Sequence, residues 1–218
     1  MRRVIGMGAG GHAKILVEIL RSLGGWELVG FTDQRPELKG STFMGVPILG
    51  DDGLLPALRA EGVDEAFIGV GAIRDVSARK KLFALATGYG FEMITLVHLS
   101  AYVAPSARLG QGVAVLPGAV VNTDVRLGDN VTAYSGAIVE HDCVIGDHVH
   151  LSPGVHLAGG VHIEPEAFVG IGASIIQGIR VGAGAVIGAG AAVVRDVPAG
   201  CTVVGVPARV LATAKAGK

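Results

Sequence analysis

Two clusters of residues carry the types and spacings that do chemistry. The first is Glu140-His141-Asp142-Cys143, in a stretch holding five of the chain's seven histidines: His141, His148, His150, His156 and His162. A free imidazole titrates near ~6.5 and takes up a proton at neutral pH, and an adjacent carboxylate orients it and raises its basicity. His141 is therefore a candidate general base, with Asp142 as the group that tunes it. The second cluster is Gly6-Met7-Gly8-Ala9-Gly10-Gly11-His12. It fits a GxGxxG loop between a strand and a helix, where free backbone N–H groups cradle a phosphate. Asp33 follows Gly11 by 22 residues. A carboxylate there either accepts a hydrogen bond from a nucleotide or caps the turn after a strand.

A repeat positions the first cluster. Stepping by six from Val103 to Val193 gives sixteen positions, fifteen of them Val, Ile or Leu. The positions four further on, from Ala107 to Val197, are restricted to Ala, Val, Ile and Cys. A hexapeptide period is the signature of a parallel β-helix. Each unit is one short strand and a turn, three units close a triangular coil, and residues eighteen apart stack ~4.8 Å apart. Gly159 then lies one coil above His141, and its bare N–H suits the oxyanion of a tetrahedral intermediate. Cys143 falls on a small inward position and reads as a buried structural thiol. His150, His156 and His162 are six apart, so they fall on three faces and diverge. Within one chain no metal site is expected from them, and a metal shared between subunits is the alternative left open. His148, His156 and His162 read as surface or subunit-contact residues. Gly110, Gly128, Gly146 and Gly182 recur at multiples of eighteen and read as turn positions that tolerate no Cβ strain.

Residues 1–98 have another rhythm. Strands are expected at 3–6, 27–32, 66–70 and 92–97, alternating with helices at 13–23, 52–60 and 76–89. That alternation gives parallel βαβ units. The expected fold class is an α/β, Rossmann-like domain over 1–98 followed by an all-β parallel β-helix over 99–218.

Composition removes other classes. The chain has 218 residues, a net charge of −1, 35 glycines and 5% aromatics, with mean hydropathy +0.54. Near-neutral charge excludes a strongly electrostatic nucleic-acid binder. The glycines follow no G-X-Y period, so this is not collagen. The longest apolar run, 181–194, has fourteen residues, short of the ~17–25 a membrane helix needs. The basic start lacks a long apolar core and a cleavage site. Two cysteines make no disulfide scaffold. A soluble cytoplasmic protein is the expectation.

The [LIV]-G-x-x-[AV]-x repeats, the GxGGH loop and the EHDC stretch, taken in order, resemble the sugar acyltransferases of the NeuD/PglD type. The resemblance covers nearly the whole chain. It implies a left-handed β-helix and a homotrimer with active sites between adjacent β-helices. It also implies direct acetyl transfer from acetyl-CoA to the 4-amino group of a nucleotide-linked amino sugar, without metal. His141 would be the base, Asp142 its partner and Gly159 the oxyanion donor. His150 would meet the thioester end of acetyl-CoA, Ile171 and Ala189 would line its groove, and Arg209, in the GVPAR tail, would sit near its adenine end. Gly10, Gly11, His12, Asp33, Gly71 and Arg79 would hold the nucleotide sugar, with Arg74 competing for the last place. One departure stands out: Tyr134-Ser135 replaces an Asn-Thr pair usual before the EH motif. Two alternatives stay open. One is O-acetylation of a sialic-acid-type sugar, and the other is a non-catalytic solenoid that binds nucleotide sugars.

Overall fold

The computed structural model describes residues 1–211; the end of the expected second domain, 212–218, lies outside the described residues. The N-terminal part runs β1 (Arg2–Met7), α1 (Gly11–Leu23), β2 (Trp26–Thr32), β3 (Thr42–Phe43), β4 (Val46–Gly50), α2 (Leu55–Ala60), β5 (Glu65–Ile68), α3 (Ser77–Gly88) and β6 (Glu92–Met93). These strands form one sheet in the order β3-β4-β2-β1-β5-β6. Every pair is parallel except the β3–β4 hairpin. Central β1 is buried from Val4 onward because helices cover the sheet. Parallel sheets require such cover.

Two features depart from the sequence reading. The β3–β4 hairpin is unanticipated. It turns on Met44 and Gly45, both at positive φ (50° and 77°), as tight hairpins demand. Its two-residue strand is too short to show alternation. The strand expected at 92–97 splits in two. Glu92–Met93 pairs with β5, whereas Leu96–Val97 pairs with Ala114–Val115, eighteen residues on. The β-helix therefore begins within the stretch read as N-terminal domain.

From Leu96 the chain winds through three sheets, parallel throughout except where Arg209–Val210 turns back antiparallel on Thr202–Val204. The first face carries Ala114–Val115, Thr132–Ala133, His150–Leu151, Phe168–Val169 and Val186–Ile187. The second carries Val120–Val121, Ile138–Val139, His156–Leu157 and Ser174–Ile175. The third carries Arg126–Leu127, Val144–Ile145, His162–Ile163 and Arg180–Val181. The second residue of each pair points inward, and these aliphatics form one continuous core. Each Val, Leu or Ile among them contributes roughly 1.5–3 kcal/mol by leaving water.

The corners explain the turn residues. A residue at positive φ recurs every six positions from Gly112 to Gly190, and where it is not glycine it is Asp124, Asn130, Asp142, His148 or Glu166. Asp, Asn and His tolerate this left-handed conformation best after glycine. The Gly110, Gly128 and Gly146 ladder has a different cause from the one expected. These residues are not at positive φ; the next coil leaves no room. A Cβ on Gly110 would lie 2.7 Å from the Gly128 carbonyl carbon, and one on Gly146 2.6 Å from the Pro165 nitrogen.

The N-terminal domain docks on the β-helix along the first face. Ala114, Leu96 and Leu116 join the core beneath α1. Helix α3 covers the corner between third and first faces, where Phe83 meets the His148 ring edge-on at 5.5 Å and Lys80 pairs with Glu166 at 2.6 Å.

Candidate active site

His141 and Gly159 occupy the same corner, between second and third faces, one coil apart. A Cβ on Gly159 would fall 2.6 Å from His141 Cε1 and 2.7 Å from Nε2. Only glycine lets the imidazole lie there. The Gly159 carbonyl accepts from Gly178 N and the neighbouring Gly160 N–H bonds His141 O, while the Gly159 N–H has no backbone acceptor among the described residues. The side chain of His141 is 61% exposed, and its Nδ1 lies 2.8 Å from Asp142 Oδ2. Positive φ at Asp142 (61°) swings that carboxylate back over its neighbour. The contact, aided by the negative charges of Asp142 and Glu140, holds His141 above its ordinary pKa. Glu140 is itself held by Asn122 Nδ2 at 3.0 Å from the coil below. A proton acceptor thus stands beside an unused amide donor.

Cys143 is fully buried at this corner and its Sγ faces the Ala158 carbonyl at 3.2 Å. Burial pushes the thiol up to about 11, so it stays protonated and does not act as a nucleophile.

A cleft of about 340 Å³ opens at the carboxyl ends of β1, β2 and β5, lined by Gly8, Ala9, Gly10, Asp33, Gln34, Arg35, Val70 and Gly71. Helix α1 starts at its edge with no side-chain cap on Gly10 and no acidic residue in the first turn. Its free N–H groups are ready for a phosphate. Asp33 is engaged in holding the loop. It accepts from Ala9 N (2.9 Å) and from Arg35 N, Nε and a terminal guanidinium nitrogen (3.0, 2.8 and 2.8 Å). The Arg35 contacts hold its carboxyl far below the usual range. These four bonds fill a carboxylate's acceptor sites, so Asp33 shapes the cleft and leaves Arg35 on its surface.

His12 and His150 lie within a buried column rather than on an open surface. The Tyr134 hydroxyl is 2.8 Å from His12 Nδ1. The Tyr134 ring lies 4.8 Å from that of His150, which stacks on Phe168 at 5.0 Å. His150 is 4% exposed, and burial together with the charge of Arg79 lowers it to about 3. The same causes, burial first, lower His12. Both imidazoles are neutral. Arg79, read as a ligand-facing cation, is 3% exposed and donates to the Val70 carbonyl (2.6 Å) and Asn130 Oδ1 (2.7 Å). It buttresses the cleft wall at Val70–Gly71 from behind. Arg74 is the exposed one of the two. Sequence spacing could not separate them, because burial of Arg79 depends on Asn130, 51 residues away.

Ile171 and Ala189 line a separate apolar groove of about 370 Å³ with Phe168, Val186, Val204 and Ile73. It runs along the first face, toward the corner with the second. Arg209 is exposed beyond it, and among the described residues its side chain bonds only the adjacent Ala208 carbonyl. The outward histidines behave as the repeat implies: His150, His156 and His162 stand on first, second and third faces. No helix among the described residues is long and apolar enough to cross a membrane.

Known proteins share this two-domain fold. Residues 3–85 match the PglD N-terminal domain and residues 124–159 match the bacterial transferase hexapeptide, six repeats. Comparison with curated proteins gives no match. Among solved structures, PerB from Caulobacter crescentus, in complex with CoA and GDP-perosamine, is 42% identical over 96% of this chain and 97% of its own, with a TM-score of 0.89. The acetyltransferase domain of PglB from Neisseria gonorrhoeae, in complex with acetyl coenzyme A, is 38% identical over 96% and 99%, with a TM-score of 0.88. WeeI from Acinetobacter baumannii is 30% identical over 96% and 100%, with a TM-score of 0.78. With both domains matched in order and identity at this level across nearly the whole length, the chain belongs to the NeuD/PglD family of hexapeptide-repeat sugar acyltransferases.

Proposed function

We propose that the protein transfers the acetyl group of acetyl-CoA to the 4-amino group of a nucleotide-linked amino sugar. The observation that carries this reading is the contact of the His141 imidazole with the backbone of Gly159. The amine nitrogen attacks the thioester carbonyl while His141 takes its proton. The Gly159 N–H stabilises the oxyanion, and the tetrahedral intermediate collapses with loss of coenzyme A thiolate. Transfer is direct, since the cysteine at this corner is buried and protonated. The acceptor's diphosphate binds the start of α1 at Gly10 and Gly11, and the sugar extends past Gly71 toward His12 and Tyr134. Acetyl-CoA follows the groove at Ile171 and Ala189, with His150 near its thioester and Arg209 toward its adenosine. The CoA and GDP-perosamine held by PerB support both assignments.

The catalytic corner and the groove lie on opposite margins of the second face, so one chain does not bring donor and base together. That face is partly apolar. Tyr102 is exposed on it and Val120 and Ile138 are half-buried, beside exposed His156 and Ser174, and Ile176 and Val194 are exposed at its margin next to the His141 corner. We infer a homotrimer in which the second face is the contact and His141 of one copy meets the groove of the next. The free thiols Cys143 and Cys201 suit the reducing cytoplasm, the compartment this reading requires.

The test is thiol release from acetyl-CoA with GDP-, UDP- and dTDP-linked 4-amino sugars. Release with one acceptor and not with its 4-hydroxy counterpart supports N-acetylation. Release only with hydroxyl acceptors contradicts it, and binding without release marks a non-catalytic protein.

A further inference from the structure

The groove that holds Ile171 and Ala189 has a second wall, from the other domain. Ile73 and Arg74, on the segment between β5 and α3, face Phe168 and Val186 across it. The same segment lines the nucleotide cleft two residues earlier, at Gly71. Ile73 is 89% exposed and Ile171, its counterpart on the β-helix, 62%. Two exposed isoleucines flank one channel.

The segment is built to stay in place. Arg79 donates to the Val70 carbonyl at its start and to Asn130 of the β-helix. Asp75 ends it, with its N–H on the Ile73 carbonyl (2.8 Å) and its carboxylate on Ser77 N and Oγ (2.7 and 2.9 Å). Between these anchors Arg74 is at φ 66°, a left-handed conformation that a residue other than glycine keeps only when its surroundings hold it. Its guanidinium is exposed and makes no hydrogen bond or ion pair among the described residues. An apolar channel with a free cation at its rim fits a ligand with a lipophilic arm that ends in phosphate.

We propose that Ile73 and Arg74 are donor-binding residues supplied by the N-terminal domain: Ile73 packs on the pantetheine arm of the acyl donor, and Arg74 holds one of its phosphates. This rests on the acetyl-CoA reading above. The N-terminal domain then serves both substrates, through one segment with a substrate on each side.

The experiment is calorimetric titration of acetyl-CoA, S-acetylpantetheine and GDP into wild type, Ile73→Ser and Arg74→Ala. Both side chains are exposed, so neither substitution disturbs a core. Ile73→Ser should weaken acetyl-CoA and S-acetylpantetheine alike, by about tenfold. Arg74→Ala should weaken acetyl-CoA about tenfold and leave S-acetylpantetheine, which lacks phosphate, unchanged. GDP should bind both variants as it binds wild type. Wild-type affinity for acetyl-CoA in either variant overturns the proposal. So does an Arg74→Ala loss confined to GDP, which would give the cation to the sugar nucleotide's diphosphate. Failure of wild type itself to bind acetyl-CoA overturns the underlying reading as well, and is a different result.

Discussion

The His141 ring rests on the backbone of Gly159, one coil above it, so closely that a Cβ there would stand 2.6 Å from the imidazole. The corner repeat makes this contact unavoidable: equal chain lengths per coil stack position 141 under position 159. Imidazole and amide are thereby held side by side at one corner of the coil.

Gly159→Ala keeps the amide donor but puts a methyl group where the imidazole lies. The ring must move, and displacement of a catalytic group by ~1 Å costs ~100-fold in rate. Steady-state thiol release should show kcat falling by about that factor with KM values near wild type. An unchanged kcat would mean that the observed ring position is not the catalytic one.

His141 must be neutral to accept a proton. Asp142, chiefly through its hydrogen bond, raises the pKa of the imidazole, so activity is lost as pH falls through that raised value and is complete above it. Asp142→Asn removes the charge and lets the pKa fall. The acid limb of kcat/KM against pH should therefore move to lower pH, while the plateau drops because the ring is less well held. A limb that stays in place would remove Asp142 from the assignment.

Arg79 separates positioning from stability. Its guanidinium is buried with no carboxylate partner among the described residues, so an apolar side chain of similar size relieves its desolvation but leaves the Val70 carbonyl and Asn130 Oδ1 without a donor. The two effects oppose each other, and Arg79→Met should lower the melting temperature only slightly. Loss of the bond to Val70 frees the cleft wall, and KM for the nucleotide sugar should rise about tenfold, the scale of one charge-assisted hydrogen bond. Arg79→Lys should not rescue it, because a point charge does not span both acceptors. Lower stability with an unchanged KM would make Arg79 a purely structural residue.

The β-helix was legible because its period is local: every coil restates the same six-residue rule, from Val103 to Val193. The pairing of His141 with Gly159 followed from that rule alone. Features that depend on distant packing were not legible. Asp33 has the spacing of a nucleotide ligand, yet Arg35, two residues on, occupies its carboxylate. His150 looks like an outward residue of its rung but is covered because the first face carries the N-terminal domain. The meeting of Tyr134 with His12 spans 122 residues, and nothing in either neighbourhood announces it. The glycine ladder at 110, 128 and 146 was visible, but its reason, the approach of the next coil rather than backbone conformation, needed the structure.

In the proposed reaction His141 removes the acceptor's proton. The direct measurement is single-turnover acetyl transfer by His141→Ala with both substrates saturating, beside calorimetric affinities for each. Affinities should be unchanged and the rate lowered by ~10²–10⁴, the contribution of a positioned general base. A rate within a few-fold of wild type would contradict that role.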